Sequence, residues 1–277
     1  MDLEIKEYLS RIGICRITEL DTALTESYGK EEGERHIERL TELFDRSEER
    51  MLYGTGETEY LRRQGELVDY LNQSLKMSLL AASFYDRVFF RRVMEYLLES
   101  ERFLEGDLFD IGCGNGILTC FLALRCPDLS VTGLELSRNA VTVAEELAGS
   151  LQLGNVRFFV SGVSGQRQCD TLFSSRTVHE NIKWRALCEE ARMAPLSEKE
   201  QIKRHRKYAR ELAALVKPQG HLVSVERFED DSAYAGLVCA LERAGFCPVK
   251  GTDMQFSCKN GDETAAFRAM VFERTRG

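Results

Sequence analysis

The residues best suited to chemistry are three glycines at alternate positions, Gly112, Gly114 and Gly116, which follow the short apolar run 108–111. An apolar stretch begins at Ile117, so the order is strand, tight loop and helix. Glycines let the backbone turn through positive φ and let a ligand lie against bare main chain. The first N–H groups of a helix offer further donors. This order predicts a site for a nucleotide-like cofactor.

The spacing of the glycines narrows the choice of cofactor. A dinucleotide-binding fingerprint reads G-x-G-x-x-G, whereas here the third glycine comes one place early and bulky Ile117 takes the expected position. Asp110 lies two residues before the first glycine, where its carboxylate would repel a pyrophosphate. The pattern therefore favours a phosphate-free ligand with positive charge, and S-adenosylmethionine, with its sulfonium and ammonium groups, is such a ligand.

The stretch 110–116, Asp-Ile-Gly-Cys-Gly-Asn-Gly, resembles the first signature of class I S-adenosylmethionine-dependent methyltransferases. The run 131–135 reads as a second strand that ends in Glu135, 19 positions after Gly116. At the carboxyl edge of a parallel sheet, such a carboxylate can accept hydrogen bonds from both ribose hydroxyls. A solvated loop acid is the alternative interpretation. Ser137 then caps a predicted helix.

The later landmarks follow in the order of that family. The run 215–220, Leu-Val-Lys-Pro-Gln-Gly, is similar to the family's turn before its fifth strand, and Asn260-Gly261 is a type I′ hairpin signal. The resemblance covers about residues 85–275. It implies an α/β fold: a seven-stranded, mostly parallel doubly wound sheet with a C-terminal antiparallel hairpin. Further strands are predicted at 156–160, 170–174, 221–226, 247–258 and 263–274.

The resemblance also implies which residues contact the cofactor and its product, S-adenosylhomocysteine. Ser161 and Gly162 stand where the family usually has Gly-Asp, so the acidic contact with the adenine amino group is missing. That contact must come from Ser161, Ser164, Gln166 or the main chain. The predicted cofactor contacts are Asp110, Gly112, Cys113, Gly114, Asn115, Gly116, Glu135, Leu136, Gly162, Val163, Ser175 and Tyr85.

The predicted catalytic residues follow the fourth strand. Many small-molecule methyltransferases of this family carry a Leu-His-His-like run there, and Val178-His179-Glu180 is similar to it. The resemblance implies that His179 acts as a general base and that Glu180 orients it or binds a substrate cation. A histidine that caps the following helix is the structural alternative.

The same region bears on the acceptor. It lacks the Asn-Pro-Pro-Tyr-like run of enzymes that methylate exocyclic or amide nitrogens and the Pro-Cys pair of pyrimidine methylation. We therefore expect a small-molecule acceptor. Two alternatives stay open: an RNA or protein methyltransferase that docks through the basic run 203–210, and a non-catalytic S-adenosylmethionine-binding protein. Ala209, Leu212, Ala213 and Val216 form a predicted buried stripe, which favours a solvated helix face for the basic residues.

Composition sets the wider bounds. The chain has 277 residues, of which 43% are hydrophobic, and no apolar run approaches the roughly 20 residues of a membrane helix. Nine cysteines and four histidines lack the spacing of a metal site or a disulfide framework. No secretory signal opens the sequence. These features predict a cytoplasmic protein without a membrane segment or bound metal.

The acidity of the chain lies in its first third, where residues 1–105 hold 15 basic and 23 acidic side chains. This makes nucleic acid an improbable partner of that region. Residues 1–84 are predicted to form a helical accessory or lid region, with a break at Gly54 and Gly56 and a homodimer contact as a further use. Residues 85–277 form the predicted cofactor-binding domain. Apolar residues share helix faces in three groups: Ile37, Leu40, Phe44 and Met51; Leu61, Val68, Leu71 and Leu75; Phe89, Val93, Tyr96 and Leu97.

Overall fold

Eight strands form one sheet through the centre of the molecule. The computed structural model describes residues 2–48, 57–178, 196–228, 230–260 and 263–275. The strands are β1 (Asp107–Ile111), β2 (Ser130–Glu135), β3 (Val156–Val160), β4 (Cys169–Ser175), β5 (Val216–Arg227), β6 (Phe246–Pro248), β7 (Met254–Asn260) and β8 (Glu263–Arg274). Their order is β3-β2-β1-β4-β5-β8-β6, and β7 also pairs with β8.

The order and directions of the strands confirm the predicted fold class. Strands β1 to β5 pair in parallel, whereas β8 is antiparallel to β5, β6 and β7. The single strand predicted at 247–258 is divided into β6 and β7, which pair with successive parts of one edge of β8. In the hairpin Asn260 pairs with Glu263. The loop positions are therefore 261 and 262, outside the described residues, and so is part of the predicted Asn-Gly turn.

Ten α-helices are described around this sheet. Six precede the first strand: α1 (Asp2–Arg11), α2 (Leu20–Tyr28), α3 (Lys30–Glu48), α4 (Glu57–Leu71), α5 (Leu75–Tyr85) and α6 (Arg87–Glu99). The other four are α7 (Ile117–Arg125), α8 (Arg138–Ser150), α9 (Glu198–Leu215) and α10 (Asp231–Arg243). In the described parts of the chain, no helix is both long enough and apolar enough to cross a membrane.

The sheet buries apolar side chains on both faces, as a doubly wound fold requires. Leu108 and Phe173 join the core that includes α6, α7 and α8, whereas their strand neighbours Phe109 and Leu172 join the core with α9 and α10. This alternation follows from the two-residue period of a strand. Because β1 to β5 run parallel, their carboxyl ends all lie at the same edge of the sheet.

One connection departs from the alternation of strands and helices. Residues 161–168 join β3 to β4 without a helix, although these strands are separated by β2 and β1. The eight residues cross two strands and return to the opposite edge of the sheet, with a turn at 164–165 where Gly165 has φ +79°. The loop after β3, where the adenine contact is predicted, therefore continues directly into this crossing.

The accessory helices have a small core of their own, formed by Leu24, Leu40, Leu43, Leu67 and Met77. The predicted apolar face of α4 is wrong at Val68, which is exposed, because the neighbouring Leu67 packs against α3 and α5 instead. The predicted break at Gly54 and Gly56 lies outside the described residues. The predicted domain boundary after residue 84 falls at the last turn of α5.

Candidate functional site

The glycine loop between β1 and α7 is fixed by backbone bonds to the end of β2. The N–H groups of Gly112 and Cys113 both donate to the Leu134 carbonyl oxygen, at 2.8 and 3.1 Å. Gly116 precedes α7 with φ +75°, and a Cβ there would lie 2.7 Å from the Ala144 Cβ. Only glycine allows both the left-handed backbone and this approach of α7 to α8. Gly116, the third glycine of the loop, therefore allows α7 to pack closely against α8.

Gly114 lies on the open side of the same loop. Its φ is +53°, and a Cβ built on it would meet no atom within 4 Å among the described residues. Cys113 points the other way and is buried, so burial raises the pKa of its thiol and leaves it unreactive. The loop thus presents bare main chain to free space at Gly114, which is the room that a bound nucleoside needs.

Glu135, the acid predicted to bind ribose, ends β2 beside the glycine loop. Its carboxylate accepts hydrogen bonds from the N–H groups of Gly114 at 3.0 Å, Leu136 at 2.6 Å and Ser137 at 3.0 Å. A carboxylate offers about four acceptor positions. Glu135 therefore joins the glycine loop 112–116 to the residues 135–137 after β2, and we call these two segments the cofactor cradle. Ribose hydroxyls would share the carboxylate oxygens with these backbone donors.

Asp110 lies below the loop rather than in it. It is 2% exposed, and Thr119 donates to its Oδ2 at 2.5 Å. Burial and the nearby Glu135 carboxylate together raise the pKa of Asp110 to about 7, against the opposing effect of the Thr119 hydrogen bond. This acid is only partly ionised near neutrality, so it repels a pyrophosphate less than the sequence argument assumed. Selection against dinucleotides then depends mainly on the glycine spacing.

An exposed apolar side chain follows Glu135 directly, beside the loop after β3. Leu136 is 75% exposed, and its Cδ2 lies 3.6 Å from a Cβ position on Gly162. Val163 is half-buried and packs against the core on the α9 side. Gln166 donates to the Ser161 hydroxyl at 2.7 Å, so these two predicted adenine contacts lie together. A large exposed leucine beside a glycine fits the flat face of a purine base.

The end of β4 forms the next wall of the site. Among the described residues the buried Ser175 hydroxyl has no hydrogen-bond partner, which leaves a polar group for a ligand. Arg176 follows with φ +62°, and its guanidinium pairs with Asp86 at 2.8 Å and lies over the Phe89 ring. A non-glycine residue in this conformation is strained. The predicted catalytic residues His179 and Glu180 come just after and lie outside the described residues.

The accessory helices touch the same edge of the sheet at separate points. Asn115 of the glycine loop donates to the Ser78 hydroxyl of α5 at 3.0 Å. Ser137, which follows Glu135 and caps α8 through Ala140, donates to Asp69 of α4 at 2.6 Å.

Tyr85 does not join these contacts. Its ring packs against Phe44 of α3, with centroids 5.6 Å apart, and burial raises its pKa to about 12. The structure therefore places the Tyr85 ring in the packing of the accessory helices, between Phe44 and Phe84, and its contact with the cofactor stays a prediction.

A further group lies at this edge that the motifs of the sequence do not indicate: the buried carboxylate of Glu226 at the end of β5. Ser174 donates to its Oε1 at 2.5 Å and the Val178 N–H donates to its Oε2 at 3.0 Å. Glu226 is 0% exposed, and burial raises its pKa to about 8. The signal in the sequence was an acid at the end of an apolar strand, 221–226.

Comparisons with known proteins agree with this geometry. Residues 108–194 match the family described as "Methyltransferase domain". The release factor glutamine methyltransferase of Vibrio cholerae is 31% identical over 103 residues, which are 35% of this chain and 36% of that protein. The ribosomal RNA small subunit methyltransferase G of Thermotoga sp. strain RQ2 is 34% identical over 96 residues, 34% of this chain and 42% of that protein.

A solved structure shows the same fold over a longer stretch. A candidate RNA methyltransferase from Pyrococcus horikoshii superimposes with a TM-score of 0.50 at 12% identity, covering 70% of this chain and 87% of that one. The chain spans only 36% and 42% of the length of these two curated relatives. The residues that match the family, 108–194, hold the glycine loop and the end of β2.

Proposed function

We propose that this chain, which carries a class I S-adenosylmethionine-dependent methyltransferase domain, transfers the methyl group of S-adenosylmethionine to a small-molecule acceptor. The residues of the cradle fit that cofactor. Gly114 leaves free space against bare main chain, Glu135 supplies carboxylate oxygens for the ribose, and Leu136 supplies an exposed apolar face for the base.

The chemistry asks little of the protein beyond alignment. The bound cofactor supplies a methyl group on a positively charged sulfur, which is already activated for in-line displacement. The chain must hold cofactor and acceptor in line and keep water out. A base is needed only when the acceptor loses a proton, and His179 is the proposed base, with Glu180 as its orienting partner.

The observation that favours a small acceptor is the cover formed by the accessory helices. Polar contacts from α4, α5 and the α5–α6 junction reach the loops after β2, β1 and β4: Asp69 with Ser137, Ser78 with Asn115, and Asp86 with Arg176. A cover held at three loops of one edge restricts the size of what enters. A metabolite fits such a site better than a folded macromolecule does.

The test is cofactor binding followed by a transfer assay. We expect S-adenosylmethionine and S-adenosylhomocysteine to bind in calorimetry and NAD not to bind. With radiolabelled methyl donor, label is expected in the small-molecule fraction of a cell extract rather than in RNA or protein. Failure to bind either cofactor would refute the proposal, and label confined to macromolecules would refute the acceptor class.

The proposed base gives a second test. His179→Ala is expected to slow turnover about a hundredfold if the acceptor must lose a proton, while S-adenosylhomocysteine affinity stays within about twofold. The assay uses the labelled product found in the first experiment, with His221→Ala as the control; His221 lies within β5 beside Glu105. An equal loss in both variants would remove His179 from the mechanism.

An RNA acceptor is the second candidate, and one row of side chains favours it. Lys203, Arg206, Lys207 and Arg210 are exposed along one face of α9, although Glu211 lies 3.8 Å from Lys207. Fluorescence titration with mixed RNA tests this candidate. Binding that weakens steeply with salt would support it, and no binding at low salt would exclude it.

A further inference from the structure

Glu226 is buried where β4, β5 and α9 meet, and each of the groups around it donates toward it. Tyr208 of α9 donates to the Thr177 hydroxyl at 2.7 Å. Thr177 and Ser174 are 2.6 Å apart, and Ser174 donates to Glu226 at 2.5 Å. If each hydroxyl donates to the next, the chain ends on the carboxylate. The Val178 N–H adds a backbone donor at 3.0 Å.

This cluster touches the cofactor cradle through Thr177. The Thr177 Cγ2 atom lies 2.7 Å from where a Cβ on Gly112 would stand, so the threonine methyl packs directly under the first glycine of the loop. Val178 is the last described residue before the segment that carries the proposed base. The partners of Glu226 thus set both the floor of the glycine loop and the direction in which the chain leaves β4.

We infer that Glu226 is a positioning residue for methyl transfer, which holds the residues 174–178 at the end of β4 against the glycine loop. The inference rests on the proposed function. It assigns no contact between Glu226 and the cofactor, because the carboxylate is fully buried and acts through Thr177 and Val178. Its loss should therefore weaken cofactor binding indirectly, through the position of Gly112.

The charge on Glu226 should be visible in binding. Burial raises its pKa to about 8, against the opposing effects of Ser174, Val178, Thr177 and the Arg176 guanidinium. Arg176 is paired with Asp86, and the pKa of Tyr208 is raised by burial and by Glu226 itself. A hydrogen bond from an N–H to a carboxylate is stronger than one to a neutral acid. The bond that holds Val178 therefore strengthens as pH rises through about 8.

The experiment compares the full-length wild type with Glu226→Gln and with Glu273→Gln, an exposed acid on β8 that serves as the matched control. Calorimetry measures the affinity for S-adenosylhomocysteine at several pH values between about 6 and 9.5, and NMR follows the Val178 amide through the same titration. At pH 9 we expect Glu226→Gln to bind about tenfold more weakly than wild type, the loss of one charge-assisted bond.

The pH profile separates positioning from a merely structural role. Wild type and Glu273→Gln should gain affinity near pH 8 and show a Val178 shift with the same midpoint, and Glu226→Gln should show neither. Equal affinities and equal profiles in all three proteins would overturn the inference. If Glu226→Gln fails to fold, Ser174→Ala replaces it and should lower the affinity and displace the midpoint; an unchanged midpoint would overturn the inference.

The proposed function can fail separately. If the wild type binds no S-adenosylhomocysteine, the cofactor assignment is wrong. A Val178 titration near pH 8 that disappears in Glu226→Gln would even then support the link between Glu226 and the end of β4. A flat Val178 titration in the wild type would refute that link whatever the cofactor result.

Discussion

Two buried acids stand at the same edge of the sheet, Asp110 on β1 and Glu226 on β5, and they differ in how they are held. Asp110 accepts one hydroxyl bond, from Thr119. Glu226 accepts from the Ser174 and Thr177 hydroxyls, at 2.5 and 3.4 Å, and from the Val178 N–H at 3.0 Å. Burial raises the pKa of both, to about 7 and about 8. Burial therefore has a similar effect on the pKa of both acids, although Asp110 lies beside the cofactor loop and Glu226 holds the residues at the end of β4.

The comparison shows what a local pattern can reveal. Asp110 and its partner Thr119 are nine residues apart and belong to one strand–loop–helix unit. Glu226 meets Ser174 and Val178, which are 52 and 48 residues away. A motif of fixed spacing contains the first acid, whereas the second acquires its partners only when β4 and β5 pair.

The largest expected effect concerns the loop beside Asp110. Gly114→Val should reduce S-adenosylhomocysteine affinity at least about a hundredfold, because a branched side chain would fill the free space and is strained at φ +53°. Gly251→Val is the matched control, since Gly251 also has positive φ and open surroundings but lies far from the site. Calorimetry on the folded variants decides; equal losses would show that strain alone, not the ligand's space, is responsible.

The next effect tests both acids through stability. Because their pKa values are higher in the folded protein than in the unfolded chain, the folded state holds more protons between about pH 4 and pH 8. These two acids should therefore stabilise the fold most below about pH 4.5, and their joint contribution to the free energy of unfolding should fall by roughly 6 kcal/mol between pH 5 and pH 9. Urea unfolding followed by circular dichroism measures this change.

Variants show how much each acid contributes to the fall of the free energy of unfolding with pH. Glu226→Gln should remove about half of the decrease, because a neutral amide has no proton to lose, and Glu273→Gln should leave the slope as in wild type. A wild-type stability that rises over this range, or a slope unchanged in Glu226→Gln, would show that the acid is not held in its neutral form by burial.

Most of the fold could be predicted from the sequence, because the spacing of apolar residues differs between strands and helices. Strand β3 has the predicted bounds, and Ser137 caps α8 as expected. The split of the strand at 247–258 could not be predicted, because it depends on how two segments share one edge of β8. The prediction that Val68 is buried is wrong, because Leu67 and Val68 are adjacent apolar residues and the sequence does not show which of them faces the core.

The site was predicted less completely for the same reason. Gly112, Gly114 and Gly116 lie in one loop with Glu135 bonded to it, as the spacing implies. Tyr85 packs with Phe44 of α3, a contact that the sequence does not show because it depends on how helices fold back on one another; its contact with the cofactor stays a prediction. Glu226 stayed unnoticed because its partners are distant along the chain.

A charge test separates the roles of the two acids. Asp110→Asn keeps the size of the side chain and an acceptor for Thr119 but loses the negative charge. If that charge acts on the sulfonium, the affinity for S-adenosylmethionine should fall about fivefold at pH 8, and the affinity for uncharged-sulfur S-adenosylhomocysteine should change less. Glu226→Gln should weaken both ligands equally. Equal losses in Asp110→Asn would make Asp110 a structural acid as well.

The smallest effect concerns the contact between the glycine loop and the accessory helices. Asn115→Ala should lower cofactor affinity about threefold, since one neutral, half-exposed hydrogen bond contributes about 1 kcal/mol or less. Ser78→Ala removes the other partner of the 3.0 Å bond, so the double variant should be no weaker than the stronger single loss. Strictly additive losses in this cycle would mean that α5 does not act on the cofactor through Asn115. The accessory helices would then limit the size of the acceptor without holding the glycine loop in place.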